Sequence, residues 1–143
     1  QEVLRQKRAQ DVSAVLIQAS SKVLNNYVLE NQIEWIAYVP SFDTDRNFVK
    51  TLAKELGKSL GLPVVDALKK TRDTSPQKSQ ENSFRQYSNI KDAFEVVAHI
   101  PDGNGLLVDD IADSRWTLTV VGQLLRANSS GKVYPFTLAR QKG

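Results

Sequence analysis

The stretch that decides the fold is GLLVDDIADSRWTLTVVGQLL, residues 105–125. A short apolar strand is predicted over 106–109 and ends in two adjacent carboxylates, Asp109 and Asp110. A turn of small and polar residues follows, and apolar residues at helical spacing predict a helix over 117–127. A strand that is apolar on both sides and runs into a helix is typical of a parallel α/β sheet.

Strand and helix patterns alternate along the rest of the chain. Short runs of β-branched and aromatic residues predict strands, and the 3.6-residue apolar period predicts helices. Strands are predicted over 33–39, 63–68, 94–98 and 133–139, helices over 3–28, 48–60 and within 77–87, and a turn at PDGNG, 101–105. Gly61 is expected to end the second helix. This order predicts one α/β sheet of about five mostly parallel strands, with helices on both faces.

Length and composition limit the classes of function. At 143 residues the chain is expected to form one domain, with a leading helix in 1–30 and a core in 31–143. The absence of Cys excludes disulfides, cysteine-based metal sites and thiol nucleophiles, and a single His excludes a His-rich metal site. No apolar run is long enough for a spanning helix and no signal pattern opens the chain, so we expect a cytoplasmic location and no membrane partner. Because the first residue is not Met, we expect a piece of a longer protein.

The end of the 106–109 strand combines acidic side chains with a helix N-terminus. A helix N-terminus offers unpaired backbone N–H groups and a partial positive charge, which favour an anion such as phosphate. Asp109 and Asp110 would repel that anion but can accept hydrogen bonds from a diol or bind a hydrated Mg²⁺. A sugar phosphate satisfies both halves, although two solvated acids in a turn would give the same local pattern.

The same residues resemble the PRPP-binding motif of type I phosphoribosyltransferases: an apolar strand, two acids, an aliphatic residue and a Thr/Ser/Gly loop ending in Thr. The resemblance implies that Asp109 and Asp110 hold the ribose hydroxyls of PRPP. It also implies a phosphate loop formed by Ala112, Asp113, Ser114, Arg115, Trp116 and Thr117. If the site is active, the cofactor implied is Mg²⁺ carried with PRPP, and no other cofactor is expected.

A wider resemblance covers about residues 33–139. The stretch KKTRDTSPQKSQENSFRQYSNIKDAFEV, 69–96, is similar to the variable loop of ComF-like phosphoribosyltransferases, and WIAYVPS, 35–41, to their pyrophosphate loop. Pro40 and Ser41 are therefore pyrophosphate-loop candidates. The combination most resembles the phosphoribosyltransferase-like region that follows the helicase core in some bacterial RecQ-family ATP-dependent DNA helicases, which implies DNA as a partner through the parent protein.

The phosphate loop departs from the family pattern. Asp113, Ser114 and Arg115 stand where active enzymes usually have Thr-Thr-Gly or Thr-Ser-Gly. Asp113 adds negative charge beside a phosphate, and Arg115 replaces a glycine that allows close backbone approach. The interpretation that follows is a degenerate accessory domain that binds a phosphorylated sugar or nucleotide, DNA or a partner without catalysis. The alternative is an active Mg²⁺-dependent phosphoribosyltransferase in which the Arg115 guanidinium replaces part of the loop.

The segment from Lys69 to Lys91 is basic, with six Lys or Arg against two acids. It is either a solvated loop or a functional flap that covers the site or contacts DNA phosphates. The basic flap candidates are Lys69, Lys70, Arg72 and Arg85. A DNA-binding module built on these four is a third hypothesis. The sequence has no P-loop motif, so ATP hydrolysis by that route would lie elsewhere in a parent protein.

Overall fold

The structure is a computed structural model that describes residues 18–41, 48–72, 90, 92–112, 115–128 and 130–140. Its helices are α1 (18–30), α2 (Phe48–Leu60) and α3 (Arg115–Ala127). Its strands are β1 (Ile33–Tyr38), β2 (Leu68–Lys70), β3 (Phe94–Val96), β4 (Asn104–Ala112) and β5 (Val133–Arg140). The helix predicted over 3–28 is present from residue 18 and continues to residue 30; its earlier part, and the helix expected within 77–87, lie outside the described residues.

The central sheet contains three parallel strands in the order β1-β4-β5, and β2 and β3 form a separate antiparallel pair. The expected α/β class is confirmed, but the expectation that about five strands share one mostly parallel sheet is wrong for the described strands. The reason lies in the predicted strand over 63–68. Only Val64 bridges Ile36 of β1, and the chain then bends as the Ala67 N–H donates to the Val65 carbonyl at 2.9 Å. After this bend, β2 pairs with β3 instead of continuing along β1.

Two apolar layers cover the two faces of the sheet. Helices α1 and α2 pack on one face through Leu24, Val28, Leu52, Ala53 and Leu56. Helix α3 and the β2–β3 pair cover the other through Val120, Val121, Leu125, Leu68 and Phe94. The predicted arrangement of helices on both faces is confirmed. Among the described helices, none is long and apolar enough to cross a membrane.

Helix α2 ends where the sequence predicts. Gly61 has φ of 70°, a left-handed conformation that glycine adopts without steric cost. The Leu62 N–H donates to the Gly57 carbonyl at 2.9 Å, which is the hydrogen bond of a Schellman C-cap. A Cβ at Gly57 would lie 2.6 Å from the Val64 side chain, so this glycine lets α2 approach the segment that bridges β1.

Strand β4 is longer than its apolar run. It begins at Asn104, inside the predicted 101–105 turn, and continues through Ala112, three residues past the predicted end. The extension pairs with β5, because Ile111 and Ala112 lie opposite Ala139 and Arg140. Pairing between strands, which hydropathy does not report, therefore carries β4 past both acids.

Strand β5 is an edge strand in the described part of the sheet, although it contains a proline. The Gly105 N–H donates to the Lys132 carbonyl at 2.9 Å. Since alternate residues of a strand point their backbone groups in opposite directions, Pro135 has its nitrogen on the side away from β4. The missing N–H therefore removes no hydrogen bond between β4 and β5. Edge strands tolerate proline at such positions.

Candidate functional site

The carboxyl ends of the three parallel strands meet at one edge of the sheet. Tyr38 at the end of β1 lies opposite Val108 of β4, and the Val39 N–H donates to the Val108 carbonyl at 2.9 Å. Asp109 lies opposite Thr137 of β5. In open α/β sheets, ligands bind at this carboxyl edge. The structure thus brings the acidic end of β4 beside the end of β1, as the sequence suggested.

The half-buried Asp109 lies on the face of the sheet that α3 covers. Its strand neighbour two residues earlier, Leu107, packs in the same apolar cluster as Val120 and Val121 of α3. Because alternate residues of a strand share a face, Asp109 is on the α3 side. Asp110 follows it within β4, and its side chain is outside the described part of the structure. The ribose-binding role expected of the two acids stays a prediction.

The candidate phosphate loop spans the end of β4 and the start of α3. Ala112 is the last residue of β4, and Arg115, Trp116 and Thr117 form the first turn of α3, whose predicted start was Thr117. Asp113 and Ser114 lie outside the described residues, and the phosphate-binding role expected of the six residues stays a prediction. The early helix start places the first-turn N–H groups of α3, which have no intrahelical partner, six to eight residues after Asp109.

The pyrophosphate-loop candidates directly follow β1. Pro40 is half-buried and Ser41 is exposed. Since Val39 is still bonded to β4, these two residues leave the sheet beside the acidic end of β4. Their position suits contact with a ligand at this edge, and their role stays a prediction.

Three of the four basic flap candidates lie in β2 or just after it. Lys69 is exposed and lies opposite Glu95, whereas the half-buried Lys70 places its ammonium 5.6 Å from the Phe94 ring centroid. Arg72 follows β2 and is half-buried, and Arg85 lies outside the described residues. Lys70 thus has a cation–π contact within its own hairpin, which favours a fixed position for its stem.

A polar pair at the carboxyl edge has no counterpart in the sequence predictions. The Tyr38 hydroxyl donates to Asp66 Oδ1 at 2.6 Å. Burial, followed by this hydrogen bond and the charge of Asp66, raises the pKa of Tyr38 well above its usual range. The two residues are 28 positions apart, and no local pattern joins them. Ile36 and Val64, which lie two residues before Tyr38 and Asp66, form a parallel bridge. Knowledge of that pairing is what would have suggested the contact.

Two surface grooves lie elsewhere. One of about 740 Å³ lies at the opposite, amino edge of the sheet, between the last turn of α3 and the start of β5. The other, of about 640 Å³, lies between α1 and the end of α2. Neither is lined by the carboxyl-edge residues, and both are open to solvent. Among the described residues no group of three or more His, Cys, Asp or Glu side chains could hold a metal ion.

The arrangement of the sheet is shared with known enzymes. The chain matches the crystal structure of L. donovani hypoxanthine-guanine phosphoribosyltransferase with a TM-score of 0.51 and 14% identity, over 92% of this chain and 71% of that one. It also matches a mutant hypoxanthine phosphoribosyltransferase from Trypanosoma cruzi, complexed with the product IMP, with a TM-score of 0.50 and 12% identity, over 94% and 75%. The chain has the type I phosphoribosyltransferase fold. No protein-family model and no curated protein matches the sequence.

The phosphoribosyltransferase fold predicted from the motif is thereby confirmed, while the ComF-like and RecQ-family details are not supported by these matches. At 12–14% identity the likeness shows the fold alone. The function has to be argued from the residues at the carboxyl edge.

Proposed function

We propose that this chain is a phosphoribosyltransferase-like binding module that takes a phosphorylated sugar or nucleotide at the carboxyl edge of its sheet, without catalysing its transfer. The observation that carries the proposal is the position of Asp109. It ends the buried part of β4, lies on the α3 face and precedes the N-terminus of α3 by six residues. A diol at the carboxylate and a phosphate at the first turn of α3 would both find suitable partners.

Mg²⁺ would enter this site with the ligand. Among the residues that the structure describes, no three metal-ligating side chains lie together, so the ligand's own phosphates would supply part of the coordination. Mg²⁺ keeps most of its waters and is commonly held by one or two carboxylates together with substrate phosphates. Asp109 fits that limited role, and the metal would supply neutralisation of the ligand's phosphate charge.

One feature of the sequence supports binding without transfer. Asp113 and Arg115 stand where the resemblance places a hydroxyl residue and a glycine. Asp113 would add negative charge beside the phosphate, and a side chain at Arg115 would limit close backbone approach. The ligand would therefore bind with fewer of the contacts that hold it in a reactive position.

The accessory role in a RecQ-family DNA helicase, with DNA as an indirect partner, rests on the sequence resemblance alone. It predicts that the module is joined to a helicase core in the full-length protein. Sequencing the parent gene on both sides of this region would test that prediction directly.

The binding proposal can be tested by calorimetric titration with PRPP and Mg²⁺. The wild-type chain is expected to bind saturably, and the Asp109→Asn/Asp110→Asn variant is expected to lose binding. Asp102→Asn serves as the matched control, since Asp102 is an exposed acid in the turn at the opposite edge. No binding by the wild type at millimolar PRPP would refute the proposal.

The catalytic part is tested by incubating the protein with PRPP, Mg²⁺ and each common nucleobase. We expect no nucleoside monophosphate. Formation of one, abolished by the same double Asp→Asn variant, would favour an active phosphoribosyltransferase instead.

A further inference from the structure

The Tyr38–Asp66 hydrogen bond joins two segments that the sequence marks independently for ligand binding. Tyr38 ends β1 and directly precedes the segment with Pro40 and Ser41. Asp66 lies two residues before β2, which carries Lys69 and Lys70. One hydrogen bond of 2.6 Å thus connects the segment before the candidate pyrophosphate loop to the segment before β2.

Backbone pairing does not make this connection in the described residues. The Ile36 N–H donates to the Pro63 carbonyl at 2.9 Å, and the Val65 N–H donates to the Ile36 carbonyl at 2.8 Å. Beyond Val65 the chain bends away, and the described residues form no further backbone hydrogen bond between β1 and this segment. The Tyr38–Asp66 hydrogen bond therefore joins the two segments at a point where their backbones are no longer bonded to each other.

The two partners differ in how firmly they are held. The Tyr38 ring is half-buried and packs against the apolar cluster under α2, whereas Asp66 is exposed at the bend. The packed ring can therefore hold the exposed acceptor in place, because a hydrogen bond to a charged carboxylate is about twice as strong as one between neutral groups. The bend at Asp66 in turn sets where β2 begins.

We infer that Tyr38 and Asp66 are positioning residues that hold the start of β2, the strand that carries Lys69 and Lys70, beside the end of β1 and so beside a ligand at the carboxyl edge. This inference rests on the proposed function for its ligand. It adds a physical link between two parts of the site, and neither residue needs to touch the ligand.

A double-mutant cycle measures the link. Tyr38→Phe and Asp66→Ala are each expected to weaken PRPP binding about fivefold, the effect of one lost hydrogen bond. The double variant is expected to weaken it by about the same factor, because both changes break one contact. If the two losses were independent, their factors would multiply to about 25-fold in the double variant. That result would overturn the inference.

Two further variants separate positioning from direct ligand contact. Asp66→Asn keeps an oxygen that accepts from the Tyr38 hydroxyl, so it is expected to recover most of the affinity lost in Asp66→Ala. Tyr27→Phe removes the hydroxyl of another half-buried tyrosine that packs against the same apolar cluster, and it is expected to leave binding unchanged. Equal losses in Asp66→Asn and Asp66→Ala, with Tyr38→Phe neutral, would show that Asp66 binds the ligand itself and would overturn the inference.

Amide hydrogen exchange tests the link without any ligand. In Tyr38→Phe, amide exchange over residues 66–71 is expected to be faster than in the wild type and in Tyr27→Phe. The reason is that the segment before β2 loses its hydrogen bond to the Tyr38 hydroxyl. Unchanged exchange in this segment overturns the inference whatever the binding data show. If the wild type binds no PRPP but exchange does become faster, the proposed function fails while the structural link between the two segments is supported.

Discussion

At the amino ends of the central strands polar side chains bond to the backbone, whereas at the carboxyl ends they lie beside or bond to other side chains. Asn104 donates to the Asn31 carbonyl and accepts from the Lys132 N–H, both at 2.9 Å. At the other edge, Tyr38 donates to Asp66, and Asp109 lies opposite Thr137. Side chains that satisfy backbone groups secure the fold, while side chains grouped at a strand end can bind a ligand or position the segments that bind it. The comparison predicts that changes at the amino edge lower stability and changes at the carboxyl edge lower affinity.

The largest effect is expected at the amino edge, where Gly105 of β4 lies against the Trp35 ring. Trp35 is 1% exposed and donates through Nε1 to the Gly103 carbonyl at 2.8 Å, so it cannot move outward without losing that bond. A Cβ on Gly105 would lie 2.6 Å from two ring atoms. Gly105→Ala should lower the free energy of unfolding by about 3 kcal/mol in urea denaturation.

Gly122→Ala is the matched control for that change. Gly122 lies inside α3, and a Cβ there would meet only Val133, at 3.9 Å. Replacing this helical glycine should raise the free energy of unfolding by about 1 kcal/mol. Equal effects of the two substitutions would mean that the contact between Gly105 and Trp35 is not a tight one.

A smaller loss is expected when the Asn104 side chain is removed, since it joins the start of β4 to the residue after α1 and to the residue before β5. Asn104→Ala leaves the Asn31 carbonyl and the Lys132 N–H without their side-chain partner, at a cost of about 2 kcal/mol in unfolding free energy. The exposed Asn25 of α1 provides the control, since Asn25→Ala should leave stability nearly unchanged. PRPP affinity at a temperature where the variant is folded should equal that of the wild type. A selective loss of affinity in Asn104→Ala would break the distinction between the two edges.

The carboxyl edge should show the reverse pattern. Ser41 is exposed, so Ser41→Ala should change the free energy of unfolding by less than about 0.5 kcal/mol. If its hydroxyl binds a ligand phosphate, PRPP affinity should fall about fivefold in calorimetry. Ser59→Ala, at the exposed end of α2, should change neither quantity. Unaltered affinity in Ser41→Ala would remove Ser41 from the candidate site.

The subtlest prediction concerns alkaline pH. The pKa of Tyr38 is raised in the folded state by burial and by Asp66, so the unfolded chain releases this proton at a lower pH than the folded one. The resulting stabilisation is fully present below about pH 10, the ordinary tyrosine value, and is lost as the pH rises through the folded-state pKa. Tyr38→Phe should therefore lose less stability than the wild type in urea titrations above pH 10. Parallel pH profiles would contradict the burial and the hydrogen bond assigned to Tyr38.

The elements that were predicted well are those whose signals are local. Helix α2 matches its predicted range, because its apolar stripe and Gly61 lie within one continuous stretch. The acids at the end of β4 and the helix after them were also located from one stretch, and they led to the fold.

Local sequence thus determined the α/β class, the main helices and strands, and the acidic strand end that marks the candidate site. Tertiary structure alone decided that 63–68 would bend into a separate antiparallel pair, that β4 would continue to Ala112, and that Tyr38 would reach Asp66. The physical reason is the range of the interactions. Hydropathy and turn residues act over a few positions, whereas strand pairing and side-chain contacts depend on which distant segments the folded core brings together.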